Sequence, residues 1–381
     1  MTFLDGTLYS CALRAKNGEW DALSRLREDV ASRVLPRMIV PPAKDRDERQ
    51  GLMFRDQGFL GISTFLRSRW TYRPALIDPT YVLDEFGRDT IGHWFTLAIK
   101  NAGREGTTII PCVTLRDLLT SFPAEFVRCV AASHGYFGIV ISMAEADDSV
   151  ELERLADWIK SANFASDRCI AILDFAGADF SDASAVAQVL AATAQSIDDF
   201  GPWLQIVFQG SNYPTRNPAS PGGKITVARN EWRAFNEAQT LMKDIGSPVI
   251  YGDYGADSSQ IEFKKAGSRA WPHLRYATDG DWLVVRGAED VSFAEAMRSV
   301  SKAICGSPEF AGSGFSEADR QIALIAAGRS GPGTPTDWRA MNMGHHITRV
   351  VADLGKRGGF TVTRLAEQVF AEQGTFFHEV E

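Results

Sequence analysis

Residues 136–143 read Tyr-Phe-Gly-Ile-Val-Ile-Ser-Met, and residues 169–175 read Cys-Ile-Ala-Ile-Leu-Asp-Phe. Both runs are apolar almost throughout instead of alternating, as strands buried on both faces must be. Between them, Val150, Leu152, Leu155, Ala156 and Ile159 fall on one helical face, with Glu151, Glu153, Arg154 and Lys160 mostly on the other. A buried strand, an amphipathic helix and a second buried strand form a βαβ unit, which joins parallel strands.

Outward from this unit the same alternation continues. Strand-like runs occupy 8–14, 35–41, 74–78, 107–113, 203–209 and 247–253. Amphipathic helical segments occupy 18–33, 57–69, 89–103, 122–133, 182–198 and 230–245. Gly103, Gly135 and Gly246 stand where helices should stop. Units of about 35 residues, repeated over about 250 residues, predict an α/β fold of the closed (β/α)8, TIM-like type. An open doubly wound sheet gives the same element order, but eight regular units without a second-domain break favour closure. The segments share no repeated motif, so a solenoid is not indicated.

After the eighth strand, residues 273–286 read as a β-hairpin turning at Asp279 and Gly280. A helix near 291–304 is expected to serve as the eighth barrel helix, with further helices near 316–328, 337–355 and 362–373. The expected organisation is a barrel over 1–305 that includes the hairpin insertion, and a C-terminal helical extension over 306–381 packed on it. Two loops that follow strands, 42–56 and 210–230, should overhang one rim.

The net charge of −8 disfavours general nucleic-acid coating or attachment to an anionic membrane. No apolar run reaches the length of about 20 residues needed to span a bilayer. The five cysteines are widely spaced and form neither a zinc pattern nor a disulfide framework. A reduced, cytoplasmic protein is expected.

In a closed parallel barrel the loops after the strands share one rim, where sites collect. Three strand candidates end on aspartates: Asp78, Asp174 and Asp253. The first ends on Arg14 and Lys16. Ser142, Gln209, Ser211 and Tyr254 join the rim set. Cations beside carboxylates suit an anionic ligand such as a phosphate. Lys16, Arg14, Arg275 or Arg286 would hold it, and Asp174 or Asp253 would act as general base or hold a divalent cation. Asp174 and Asp253, one strand apart, are the expected pair, and Asp78, followed by Pro79, is the one most suited to a structural role. Glu19 suits capping of the first helix or pairing with Lys16. Of the adjacent histidines, His345 could reach a rim carboxylate, but neighbouring helical positions point apart. No nucleophile elbow, phosphate loop or metal-ligand spacing is present. Ser-Pro-Gly-Gly-Lys-Ile at 220–225 lacks the hydroxyl residue after its lysine. The strand ends give thin support to the paired carboxylates of glycoside hydrolysis.

Four stretches carry a resemblance. They are Leu-Arg-Ala-Lys-Asn-Gly-Glu-Trp-Asp-Ala-Leu (13–23), Arg-Pro-Ala-Leu-Ile-Asp (73–78), Leu-Arg-Tyr-Ala-Thr-Asp-Gly-Asp-Trp-Leu-Val-Val-Arg-Gly (274–287) and Asp-Trp-Arg-Ala-Met-Asn-Met-Gly-His-His-Ile (337–347). In order and spacing the chain resembles the beta-family proteins of phages and bacteria. The resemblance implies no catalytic residues. It places emphasis on Arg14, Lys16, Glu19, Asp78, Arg275, Tyr276, Arg286, Trp338, Arg339, His345 and His346. It also implies an alternative role, that of a non-catalytic interaction protein in a phage or phage-defence system, bound to a protein partner.

Overall fold

The computed structural model describes residues 4–42, 61–260 and 270–366. Eight strands close into a parallel barrel: β1 (Tyr9–Arg14), β2 (Arg37–Ile39), β3 (Ala75–Asp78), β4 (Ile109–Thr114), β5 (Phe137–Ser142), β6 (Cys169–Asp174), β7 (Gln205–Gln209) and β9 (Val249–Asp253). β9 closes the ring on β1, with Tyr9 opposite Tyr251 and Cys11 opposite Asp253.

Alternation along each strand divides the residues into two sets. Leu76, Ile110, Cys112, Val140, Ile170, Ile172, Val207 and Ile250 fill the interior as one cluster. Their neighbours Ile77, Ile139, Ile141, Leu173, Phe208 and Tyr251 face the helices in another. Gly252 falls on the interior parity, where a Cβ would stand 2.6 Å from the main-chain oxygens of both Phe208 and Ser10. No other residue fits that seam without displacing a neighbouring strand.

Two expectations are corrected. The helix Phe293–Cys305 is not the eighth barrel helix: it packs on the hairpin β10 (His273–Ala277) and β11 (Asp281–Arg286), and on the helix Glu317–Ala326. The ring position is taken by the long helix Pro335–Arg357, which lies against β1 and the helix Asn17–Ser24. Its far end reaches the helix Asn230–Leu241, where Arg357 stacks over Trp232 at 5.4 Å. Thr334 and Asp337 cap its start reciprocally.

The second correction concerns 210–230, which is not all loop. β8 (Lys224–Ala228) joins the hairpin in an antiparallel sheet of order β10-β11-β8. This sheet and the helices Phe293–Cys305 and Glu317–Ala326 share a separate core of Leu274, Tyr276, Val285, Met297, Ile322 and Trp338. Of the helix expected at 362–373, residues 362–366 are not helical and the remainder lie outside the described residues. The expected loop 42–56 lies outside them except for residue 42.

Candidate functional site

Strand parity decides which rim residues turn inward. Arg37, two residues before the end of the apolar β2, projects into the mouth beside Asp78 of β3. Its Nη2 and Nε donate to Asp78 Oδ2 at 2.7 and 3.0 Å, and its Nη1 donates to Gln209 Oε1. Asp78 Oδ1 accepts from the Thr80 hydroxyl at 2.6 Å and main-chain N–H at 2.9 Å. Both charges are buried. Burial opposes the Arg37 charge, but Asp78, with smaller contributions from Cys112, Tyr254 and Asp174, outweighs it and holds the guanidinium above its ordinary pKa. Every oxygen of this carboxylate is occupied.

Asp174 stands farther round the mouth. Its Oδ1 accepts from the Tyr254 hydroxyl at 2.6 Å and from the Ala176 N–H at 2.9 Å. Its Oδ2 carries no hydrogen bond among the described residues. Burial, reinforced by the Asp174 charge, pushes the Tyr254 hydroxyl well above its ordinary pKa, so it stays a donor.

A second arginine group lies on the β1–β9 side. Asp257, in the loop after β9, receives Arg275 Nη1 at 2.7 Å on Oδ1, and Arg339 Nη2 at 2.6 Å and Arg14 Nη2 at 3.2 Å on Oδ2. Arg339 also reaches the fully buried Glu19, Nε to Oε1 at 2.6 Å, with Arg14 Nε 3.7 Å from the same oxygen. Three guanidinium groups thus share two carboxylates. Burial alone would raise the Asp257 pKa, but Arg339, Arg275 and Arg14 together hold it well below the usual carboxylate range. Arg275 also lies 4.6 Å over the Tyr213 ring. A cleft of about 10 Å³ runs between Arg14, Arg339, Ser258, Tyr254 and Ile39. It is narrow enough that only the terminal atoms of a ligand enter it. Lys16 precedes the helix Asn17–Ser24, and its main-chain N–H donates to the Arg14 carbonyl oxygen at 2.6 Å.

A family model described as Beta protein matches residues 9–352. The chain belongs to the Beta protein family. The matched span of this family member runs from β1 into the helix Pro335–Arg357, so it holds every barrel strand and both arginine groups. A comparison with curated proteins gave no match.

Other residues singled out in the sequence of this Beta protein family member lie elsewhere. Asp253 does not share a face with Asp174. Its parity turns it outward, where it is buried against the helix Pro335–Arg357 and accepts from the Tyr9 hydroxyl, the Gly255 N–H (2.8 Å) and His346 Nε2 (2.8 Å). Burial keeps His346 neutral despite the neighbouring Asp253 charge, and the interactions around Asp253 hold its carboxyl below its ordinary pKa. His345 faces the opposite side of the same helix. Its Nδ1 lies 3.0 Å from Asp319 Oδ2, its Nε2 lies 2.8 Å from the Ala277 carbonyl oxygen, and Tyr276 is stacked on its ring. Ser211 donates to the Asp257 main-chain oxygen at 2.8 Å and so shapes that loop. Ser142 forms a capping box with Glu145. Arg286 pairs with Glu289 at the end of β11, the central strand of the three-stranded sheet. Among the described residues no group of three or more His, Cys, Asp or Glu is placed to hold a metal ion. No described helix is long and apolar enough to cross a membrane.

Sequence reasoning missed Arg37 and Asp257, and met Arg339 only through the resemblance. Arg37 did leave a signal, a lone charge inside the apolar run Leu-Pro-Arg-Met-Ile-Val.

Proposed function

We propose that the barrel mouth binds a small anionic ligand, a phosphate-containing one, and that Asp174 acts on it as general base in a hydrolytic step. The observation that carries this reading is the convergence of Arg14, Arg275 and Arg339 on the single carboxylate of Asp257. Among the described residues, three guanidinium groups meet in a partly desolvated place, where they act on an anion more strongly than at an open surface. Lys16, two residues after Arg14, would add a further cation. Asp174 supports the chemical half of the reading, since its Oδ2 is open to a proton donor or to a divalent ion.

The test is a thermal-shift series with inorganic phosphate, nucleotides and phosphosugars, because a ligand of the folded state raises apparent stability by mass action. Phosphate should stabilise the wild type, Lys16→Ala should weaken that effect, and Asp174→Asn should keep binding while losing turnover. Folded Lys16→Ala and Asp174→Asn proteins that both bind and turn over like wild type would overturn the proposal.

One observation favours a second reading, that of a non-catalytic interaction protein. No second mouth carboxylate faces Asp174 with an open oxygen among the described residues, so a ligand could be held without turnover. Stabilisation by phosphate with no hydrolysis of any tested phosphoester would select it.

A further inference from the structure

β8 is the least covered strand of the fold. Its one extensive neighbour is β11, and its residues Lys224, Ile225 and Thr226 are exposed. The ladder fixes which of its main-chain groups are used. Arg286 N–H donates to Gly223 O at 3.0 Å, and Arg229 N–H to Gly280 O at 2.9 Å. With the register Val284 opposite Ile225 and Trp282 opposite Val227, the odd-numbered residues of β8 bond inward to β11. The main-chain groups of Lys224, Thr226 and Ala228 therefore point away from the sheet. Asn212 Nδ2 donates to Ala228 O at 2.8 Å. The outward groups of Lys224 and Thr226 make no hydrogen bond among the described residues.

An open strand edge is a template for another strand. The sequence of this edge fits a second copy of itself. Antiparallel pairing about Thr226 sets Thr226 against Thr226, Lys224 against Ala228, and Ile225 against Val227. That register uses the outward groups of Lys224 and Thr226 and the Ala228 N–H, while Ala228 O already accepts from Asn212. It also keeps the only charged residue of the strand away from its copy, whereas pairing about Lys224 would oppose two lysines, which is destabilising. Ile225, 42% exposed, would meet the β-branched Val227 of the second copy.

We propose that β8 is a homodimerisation edge, joining two three-stranded sheets into one six-stranded sheet across a two-fold axis at Thr226. The interface is isologous, as a two-fold pair requires. A five-residue edge buries less than a standard interface, so the association is weak and concentration-dependent.

Sedimentation and light scattering would decide it, read up to about 100 μM, where a dimer with a Kd of about 10 μM is mostly assembled. The wild type should shift from 41.9 kDa towards twice that mass as concentration rises. Thr226→Pro removes an outward N–H without touching the ladder to β11, and should stay at the monomer mass with an unchanged melting curve. Thr226→Cys should form a disulfide-linked dimer under mild oxidant, because paired Cα atoms about 5.5 Å apart suit that bond. The proposal is overturned by a wild type that stays monomeric, by a Thr226→Pro protein that still dimerises, or by capture of a foreign extended peptide in place of a second copy. Since β8 lies outside the mouth, phosphate binding should be the same in Thr226→Pro, so failure here and failure of the mouth reading are distinguishable.

Discussion

The mouth holds two arginine groups built on opposite terms. Around Arg37 the account closes: one buried guanidinium meets one buried carboxylate, and Gln209 and Thr80 occupy what is left. Around Asp257 the described residues form a wider cluster, in which three guanidinium groups meet the carboxylates of Asp257 and Glu19, and the Asp257 side chain is a quarter exposed. The first arrangement fixes the geometry of the barrel top. The second sets three arginines beside a partly exposed carboxylate. A count of arginines would have treated the two alike.

The largest expected effect breaks the closed pair. Asp78→Ala leaves Arg37 buried without its counter-ion and should cost about 3–5 kcal/mol in urea unfolding. Asp257→Asn should cost less, about 2 kcal/mol, because Glu19 and partial exposure still serve the arginines. The comparison sharpens if the same variant binds inorganic phosphate more tightly than wild type, the competing internal anion having been removed. An equal gain in an Arg37-side variant such as Gln209→Leu would erase the distinction between the groups.

Acid should act in two stages. His346 has a lowered folded-state pKa, so the unfolded chain takes up its proton first. The His346 contribution to stability therefore falls as pH drops below about 6.5, by up to about 1.4 kcal/mol per unit, while Glu231, whose carboxyl burial pushes up to about 7, contributes in the opposite sense over the same range. Asp257 and Asp253 also have lowered folded-state pKa values. Their contribution is full above about pH 4 and is lost only as pH falls further, through their folded values. In urea titrations from pH 7 to 3, the difference between wild type and His346→Asn should isolate the first stage, and the second should remain in both. The smallest effect on stability belongs to Asp174→Asn, under about 1 kcal/mol by the same titration, since the amide oxygen still accepts from Tyr254 and Ala176.

Much of the barrel was legible because buried parallel strands announce themselves as apolar runs. Asp78 and Asp174 were legible as strand ends. The orientation of Asp253 was not, since the end of an apolar run says nothing about strand parity. The signal lay one residue back, in a glycine forced inward at 252 by the β1–β9 seam. Asp257 escaped because it sits in a loop, where no periodicity speaks. The eighth helix was misplaced because adjacency in sequence was taken for adjacency in space, and a hairpin with two helices intervenes. β8 was hidden among turn residues, and its Gly-Gly-Lys run leads into a strand instead of a phosphate loop.

That displaced eighth helix has a consequence for the chain as it is synthesised. β1 and β9 are both available once Asp253 has emerged, yet Arg339 and His346 are still to come. Until they arrive, the outer wall of the seam has no cover, Asp253 has no histidine, and Glu19 lacks its closest partner. Contacts that join the two ends of a chain are slow to form. The nascent protein can assemble most of its staves early, but the charged mouth becomes complete only once Arg339 has been made, more than three hundred residues after Arg14.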